Sequence, residues 1–282
     1  WRVVACIAIL ALAVVAFGSF HQMKSGDHVA VVDIRNIIVD DPQRDDMIKE
    51  IAVDPEAKAL IVRINSPGGT VMGAESLYYI LRSVAQNKPV VAVMRELATS
   101  AGYLVALGAD HIVARQSTVT GSVGVLIQST DVTKLLEKLG IRPETIKSSP
   151  LKAQPNPLEP FTEEARKATR SIISDIHAMF IDLVAERRNM ERSKAKKLSD
   201  GRIFTGRQAV ANGLIDALGG DEEARHWLDT SKGIKMEVPL REFVVKRNYN
   251  RLGEIFWDLV GKTLFSERVR LDGLISLWHP SF

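Results

Sequence analysis

The sequence predicts an α/β fold built on a largely parallel sheet. Short apolar runs rich in Val and Ile recur through its first half. Stretches with helical spacing separate them, and the runs are continuous rather than alternating, as strands covered on both faces require. Alternation of strand and helix implies βαβ units with helices packed over the sheet.

The elements follow in order. "HVAVVDIRNII" (28–38) reads as the first strand, and "PQRDDMIKEIA" (42–52) as a helix opened by Pro42, whose fixed φ suits a first helical turn. "ALIVRIN" (59–65) is a buried strand, and "GAESLYYILRSVAQ" (73–86) a helix with Leu77, Ile80, Leu81 and Val84 on one face. "PVVAVM" (89–94) is the next strand and "ATSAGYLVALGAD" (98–110) the next helix. "HIVA" (111–114), "SVGVLIQ" (122–128) and "PETIKSS" (143–149) read as further strands, with the helix "DVTKLLEKLG" ending at Gly140. A long helix is expected from about Thr162 to Asn189, capped by Thr162, with Glu163 and Glu164 in its first turn. "TGRQAVANGLID" (205–216) gives a short helix stopped by Gly213.

The two ends differ from this middle. "VVACIAILALAVVAFGSF" (3–20) carries no charge and is near the minimum of roughly 18 residues for crossing a bilayer. It is read as a transmembrane anchor over 1–21, with Arg2 on the cytoplasmic side. A cleavable signal peptide ending near Ala16–Phe17–Gly18 is the alternative. Either way the remainder is exported. A globular domain is expected over 22–232 and an amphipathic tail over 233–282. In that tail Leu252, Ile255, Phe256, Leu259 and Val260 share a helical face, suited to a neighbouring subunit or to a membrane surface.

Composition excludes several classes. A net charge of +3 over 282 residues, with no basic run interleaved by aromatics, gives no footprint for nucleic acid. One cysteine, Cys6, cannot form an intrachain disulfide, and no His/Cys cluster has metal-ligand spacing. No metal or cofactor is therefore expected.

Two strand-to-helix turns carry the candidate chemistry. In "INSPGGTV" (64–71), Pro67 removes a donor while Gly68 and Gly69 allow close backbone approach, so N–H groups can point outward as an oxyanion hole requires. In the second turn, Ser100 falls where a strand ends and a helix begins, with small neighbours at Thr99, Ala101 and Gly102. Ligands bind outside the carboxyl ends of parallel strands, so both turns can face one cleft. Ser100 is then a nucleophile, with the Ala101 and Gly69 N–H groups as oxyanion donors, or simply a helix cap. A nucleophile needs a base. None of the six histidines is well placed, and His177 reads as lying on a solvated helix face. The remaining base is a lysine kept neutral by burial. Lys152, in "SSPLKAQPNP", has no neighbouring carboxylate in sequence.

The succession "NSPGG", "ATSAGYLVA", "TGSVGV", "IKSSPLKA" over roughly residues 29–230 resembles the signal peptide peptidase A family of membrane-bound serine peptidases. The resemblance implies a ClpP/crotonase-like fold of stacked ββα units. It implies Ser100 as nucleophile, Lys152 as general base, Ser122 as the group orienting that lysine, and Gly69 as an oxyanion donor. It further implies ring-shaped homo-oligomers, octameric in the single-domain bacterial forms. Remnant signal peptides would be the substrates, and the location the bacterial inner membrane with the catalytic domain on its extracytoplasmic side. Two departures stand out. Ala101 precedes Gly102–Tyr103 where the family has Gly-Gly-Tyr, and Ala153 follows the lysine where an acid is frequent. Neither removes a reacting group. A crotonase-like acyl-transfer enzyme, a non-catalytic membrane scaffold and a prohead-type protease are the competing expectations. The first normally uses a carboxylate, and near these turns only Glu75 and Glu96 are available.

Overall fold

The computed structural model of the chain describes residues 26–245 and the strand Ile275–Leu277. The expected anchor (1–21) and the amphipathic run Leu252–Val260 lie outside the described residues. Among the described residues no helix is long and apolar enough to cross a membrane.

The chain alternates as its pattern requires. β1 (His28–Ile38) leads to α1 (Pro42–Val53), whose first turn is capped by Asp41 accepting from the Arg44 N–H. Then come β2 (Ala57–Thr70), α2 (Val71–Ala85), β3 (Val90–Thr99) and α3 (Ala101–Ala106). β4 (His111–Ala114) and β5 (Val119–Gly121) precede α4 (Thr133–Lys138) and the long α5 (Glu163–Arg187). The remaining elements are α6 (Arg192–Leu198), β6 (Ile203–Thr205), α7 (Gly206–Asn212), β7 (Ala217–Leu218), α8 (Asp221–Lys232), β8 (Leu240–Phe243) and β9 (Ile275–Leu277).

Among the described residues nine strands join one mixed sheet, ordered β6-β5-β3-β2-β1-β8, with β4 and β7 branching from β3, and β9 on β2. Among these pairings only β5–β6 and β2–β9 are antiparallel. Successive side chains of a strand face opposite ways, and both faces of this sheet are dry. Ala30, Val32, Ile34, Leu60, Val62, Ile64, Ala92 and Met94 pack into one core with Leu77, Leu81 and Leu104 of α2 and α3. Their neighbours Val29, Val31, Ala59, Ile61, Val91 and Val93 pack against Ala224 and Leu228 of α8. The continuous apolar runs are thus strands covered from both sides.

β3 changes partner along its length, pairing with β4 over Val91–Met94 and with β5 over Leu97–Thr99. That switch carries its carboxyl end away from the main layer toward the site described below.

Three expectations are corrected. "SPGG" is not a free turn: β2 runs through it to Thr70, which caps α2 by accepting from the Gly73 N–H. "SVGVLIQ" and "PETIKSS" form no regular strand, the first making only an isolated bridge at Leu126. Leu126, Ile146 and Leu151 in this region are exposed, as are Leu135 and Leu139 of α4. The sheet also takes in β8, beyond residue 232.

Candidate active site

The ends of β2, β3 and β5 meet at one place, and hydroxyl groups stitch them together. The Thr99 hydroxyl donates to the Pro67 carbonyl at 3.1 Å, and the Thr120 hydroxyl to the Ala98 carbonyl at 2.7 Å. Ser66 and Gly68 close a local turn, the Ser66 hydroxyl accepting from the Gly68 N–H and donating to the Gly68 carbonyl, both at 3.1 Å. The "SPGG" backbone is thereby fixed beside the start of α3.

Ser100 sits at that start, buried, with φ 56° and ψ −118°. A non-glycine residue is rarely found there, and such conformations persist only where the surroundings enforce them. The enforcement is visible on both sides. The Ser100 N–H donates to the Gly121 carbonyl at 2.8 Å, and its own carbonyl accepts the Leu104 N–H at 3.0 Å. Residues that serve this chain as helix caps look different. Thr70, Thr162 and Thr205 have φ near −70° and accept a hydrogen bond from their helix's first turn. Ser100 makes no such capping bond through its side chain. Of the two readings of this serine, the cap is the one the geometry disfavours.

Ala101 and Gly102 follow on α3, both buried. A side chain at Gly102 would press on the Ser66 carbonyl at 3.1 Å. Tyr103 anchors the helix from behind: its hydroxyl, fully buried, donates to the Leu214 carbonyl at 2.8 Å, and burial pushes its ionisation well above the ordinary phenol range. Gly69 lies two residues beyond Pro67, whose carbonyl accepts from Thr99. A Cβ there would stand 1.8 Å from the Ile38 carbonyl oxygen of β1, so the position admits glycine alone.

Ser122 closes the third side. Gly121 and Ser122 both have positive φ, 83° and 51°, and the Ser122 N–H donates to the Arg202 carbonyl at 2.8 Å. Ser122 is buried, one residue beyond the carbonyl that holds Ser100. The structure therefore gathers Ser100, Ala101, Gly69 and Ser122.

Lys152 is placed differently. It is exposed, with its N–H bonded to the Ser149 carbonyl. The expectation of a dry crevice around this amine is corrected for the single chain, because nothing in the Pro-rich loop is folded over it. The other lysine of the motif, Lys147, is paired with Glu159, whose carboxyl that contact holds below its usual range. Among the described residues no carboxylate pairs with Lys152. Gln154 donates to the same Glu159 at 2.7 Å, and Pro155 lines a cavity of about 420 Å³ with Leu126 and Gln128, just downstream of Ser122.

The histidines are engaged elsewhere. His111 stacks on Trp227 with ring centroids 4.6 Å apart, and burial lowers its pKa. His177 is half-buried, its Nε2 bonded to the Ser199 carbonyl at 2.7 Å, and not on the solvated face its sequence neighbours suggested. Among the described residues no group of three His, Cys, Asp or Glu side chains could hold a metal. Two parts of the site escaped the sequence reading: the Arg202 carbonyl behind Ser122, and β9, which pairs with Gly68–Thr70. The apolar run "GLISLW" was the available signal for β9.

The profile of peptidase family S49 matches residues 82–235. A chloroplastic serine protease SPPA of Arabidopsis thaliana is 37% identical over 235 residues, covering 81% of this chain and 34% of that protein. Protease 4 of Salmonella typhi is 35% identical over 178 residues, covering 63% and 29%. A Synechocystis sp. protein carrying a protease name is 39% identical over 176 residues, and the chain spans 64% of its length. The chain thus spans less than two thirds of these relatives. In fold it is similar to the 1510-N membrane-bound stomatin-specific protease, a mutant of which, in complex with a substrate peptide, aligns at TM-score 0.51 and 18% identity, over 83% of this chain and 99% of that one.

Proposed function

Because the chain belongs to peptidase family S49, we propose that it is a serine peptidase working through Ser100 and Lys152. The observation that carries this reading is the Ser100 backbone, held at φ 56° by the Gly121 carbonyl and not used as a cap. Neutral Lys152 takes the hydroxyl proton of Ser100 as the oxygen bonds to a peptide carbonyl carbon. The Gly69 and Ala101 N–H groups receive the resulting oxyanion, each donor typically contributing about 2.7–4 kcal/mol to the barrier. The carbon–nitrogen bond then breaks, the lysine ammonium protonating the leaving amine, and water releases the acyl group from Ser100. Ser122 orients the lysine, as the third member of a triad orients its base.

The exposure of Lys152 in one chain supports completion of the dyad between copies, in a ring of ClpP/crotonase-like subunits. A lysine normally titrates near about 10.4 and acts as a base only when desolvated. The apolar surface of Leu126, Leu135, Leu139, Ile146 and Leu151 is suited to supply that cover across a subunit boundary. The uncharged run 3–20 supports a membrane-bound enzyme with an extracytoplasmic catalytic domain, and the resemblance to the signal peptide peptidase A family supports remnant signal peptides as its substrates.

Labelling by a fluorophosphonate tests the reading. Modification confined to Ser100, absent from Ser100→Ala and rising with oligomer formation, is the expected result. Silence from a well-folded oligomer would favour the non-catalytic scaffold instead.

A further inference from the structure

The backbone that constrains Ser100 is itself held from further out. The Gly121 carbonyl, which accepts the Ser100 N–H, ends β5, and the next N–H, that of Ser122, donates to the Arg202 carbonyl. Arg202 closes the turn 199–202, which leads from α6 into β6. Inside the turn Gly201 has φ 88°, and Asp200 accepts from the Arg202 N–H at 3.2 Å and from its guanidinium. That pair is exposed, and exposed pairs fix position weakly. The first residue of the turn is different. Ser199 is buried, and its carbonyl accepts from Nε2 of His177 at 2.7 Å. A carbonyl oxygen only accepts, so Nε2 carries the proton in this bond. His177 shares a helical face of α5 with Phe180, Ile181 and Val184, all buried in the main core. The ring therefore stands on a part of α5 that packing holds still. The Ser199 hydroxyl is also buried and finds no partner among the described residues, so the residue is tied through its carbonyl and not its side chain.

We propose that His177 is a positioning residue for the nucleophilic serine. Its Nε2–H fixes the turn 199–202, the Arg202 carbonyl seats the Ser122 N–H, and the Gly121 carbonyl, one residue earlier, holds Ser100 at φ 56°. The relay crosses from α5 to the nucleophile through backbone groups and touches no substrate. Loss of its first link lets the end of β5 relax. Ser100, in a conformation that persists only under constraint, then drifts from the geometry of attack. A small displacement of a reacting atom is enough to slow an enzyme strongly. This effect on catalysis rests on the peptidase reading, whereas the seating of the turn does not.

Three variants of the full chain test the relay. His177→Phe keeps a ring and loses the donor. His177→Asn and His177→Gln carry the same amide, but only the glutamine amide reaches as far as Nε2. Amide exchange at Ser100 and Ser122 reads the relay itself. The rate of fluorophosphonate labelling of Ser100, at a temperature where each variant is fully folded, reads its consequence. In His177→Phe and His177→Asn, labelling slows about tenfold and exchange at both amides accelerates. His177→Gln returns both toward the values of the unaltered chain. Labelling and exchange that stay unchanged in His177→Phe and His177→Asn overturn the proposal. So does a glutamine variant as slow as the asparagine one, which would leave the ring a packing role alone. If no form labels, yet exchange at Ser100 and Ser122 accelerates in His177→Asn and recovers in His177→Gln, the relay stands and the peptidase reading falls.

Discussion

The Ser100 N–H and the Gly121 carbonyl meet at 2.8 Å, a bond that joins the end of β3 to the end of β5. It fixes Ser100 in a backbone conformation that costs a non-glycine residue on the order of 1–3 kcal/mol. The conformation follows from the tie and not from any capping need of α3.

Replacing Ser100 therefore separates chemistry from strain. Ser100→Ala and Ser100→Gly both abolish labelling and turnover. Ser100→Gly is the more stable of the two by about 1 kcal/mol, since glycine adopts φ 56° freely. Urea unfolding of the two variants measures the difference.

The two lysines of the Pro-rich loop part company. Lys152→Ala loses turnover by a factor of about 10² or more, with the fold intact by circular dichroism. Lys147→Ala, which breaks the pair with Glu159, keeps the chemistry and loosens the loop, seen as faster proteolysis near residue 147. Equal loss of turnover in both would remove Lys152 from its role.

Gly69→Ala forces a Cβ to 1.8 Å from the Ile38 carbonyl oxygen, so β1 or β2 has to shift. Activity falls by about 10²–10³ as the oxyanion donor moves. Stability falls as well, by about 1–3 kcal/mol. Turnover close to that of the unaltered chain would show that the Gly69 N–H takes no part.

Acid acts on a strut behind the site. Burial alone would raise the pKa of Asp216, but Arg188, the Ile112 N–H and His111 outweigh it and hold the carboxyl below its usual value. The stability this supplies is present above the unfolded-state value of about 3.9 and is lost as pH falls from there through the lower folded value. Asp216→Asn is therefore less stable than the unaltered chain at neutral pH, and the gap closes below about pH 4. Denaturant unfolding at several pH values measures it.

Tyr103→Phe leaves the buried Leu214 carbonyl without its hydroxyl donor. A loss of about 1–3 kcal/mol is expected. Because Tyr103 anchors α3 directly after Ser100, labelling slows as well, and thermal unfolding with labelling rates checks both effects.

Much of this was legible in the sequence for identifiable reasons. Buried strands such as "ALIVRIN" are written as unbroken apolar runs, and caps such as Thr162 and stops such as Gly213 are local chemistry. Gly69, Ala101, Ser122 and Ser100 come together because parallel strands end on one side of the sheet. What was not legible depends on partners distant in the chain. "SVGVLIQ" has the composition of a strand, but it forms a single bridge at Leu126 and no extended ladder. "SPGG" reads as a turn in isolation, and only the approach of Ile37 and Ile38 makes it the end of β2. Exposure of Lys152 depends on what covers the loop, and a single chain does not encode that cover locally.

The narrow gap at position 69 also bears on how such a cleft can diversify. A site where even a methyl group collides with backbone offers selection no alternative residue. Changes in what the cleft accepts must then arise at its other residues, which carry side chains that can be exchanged.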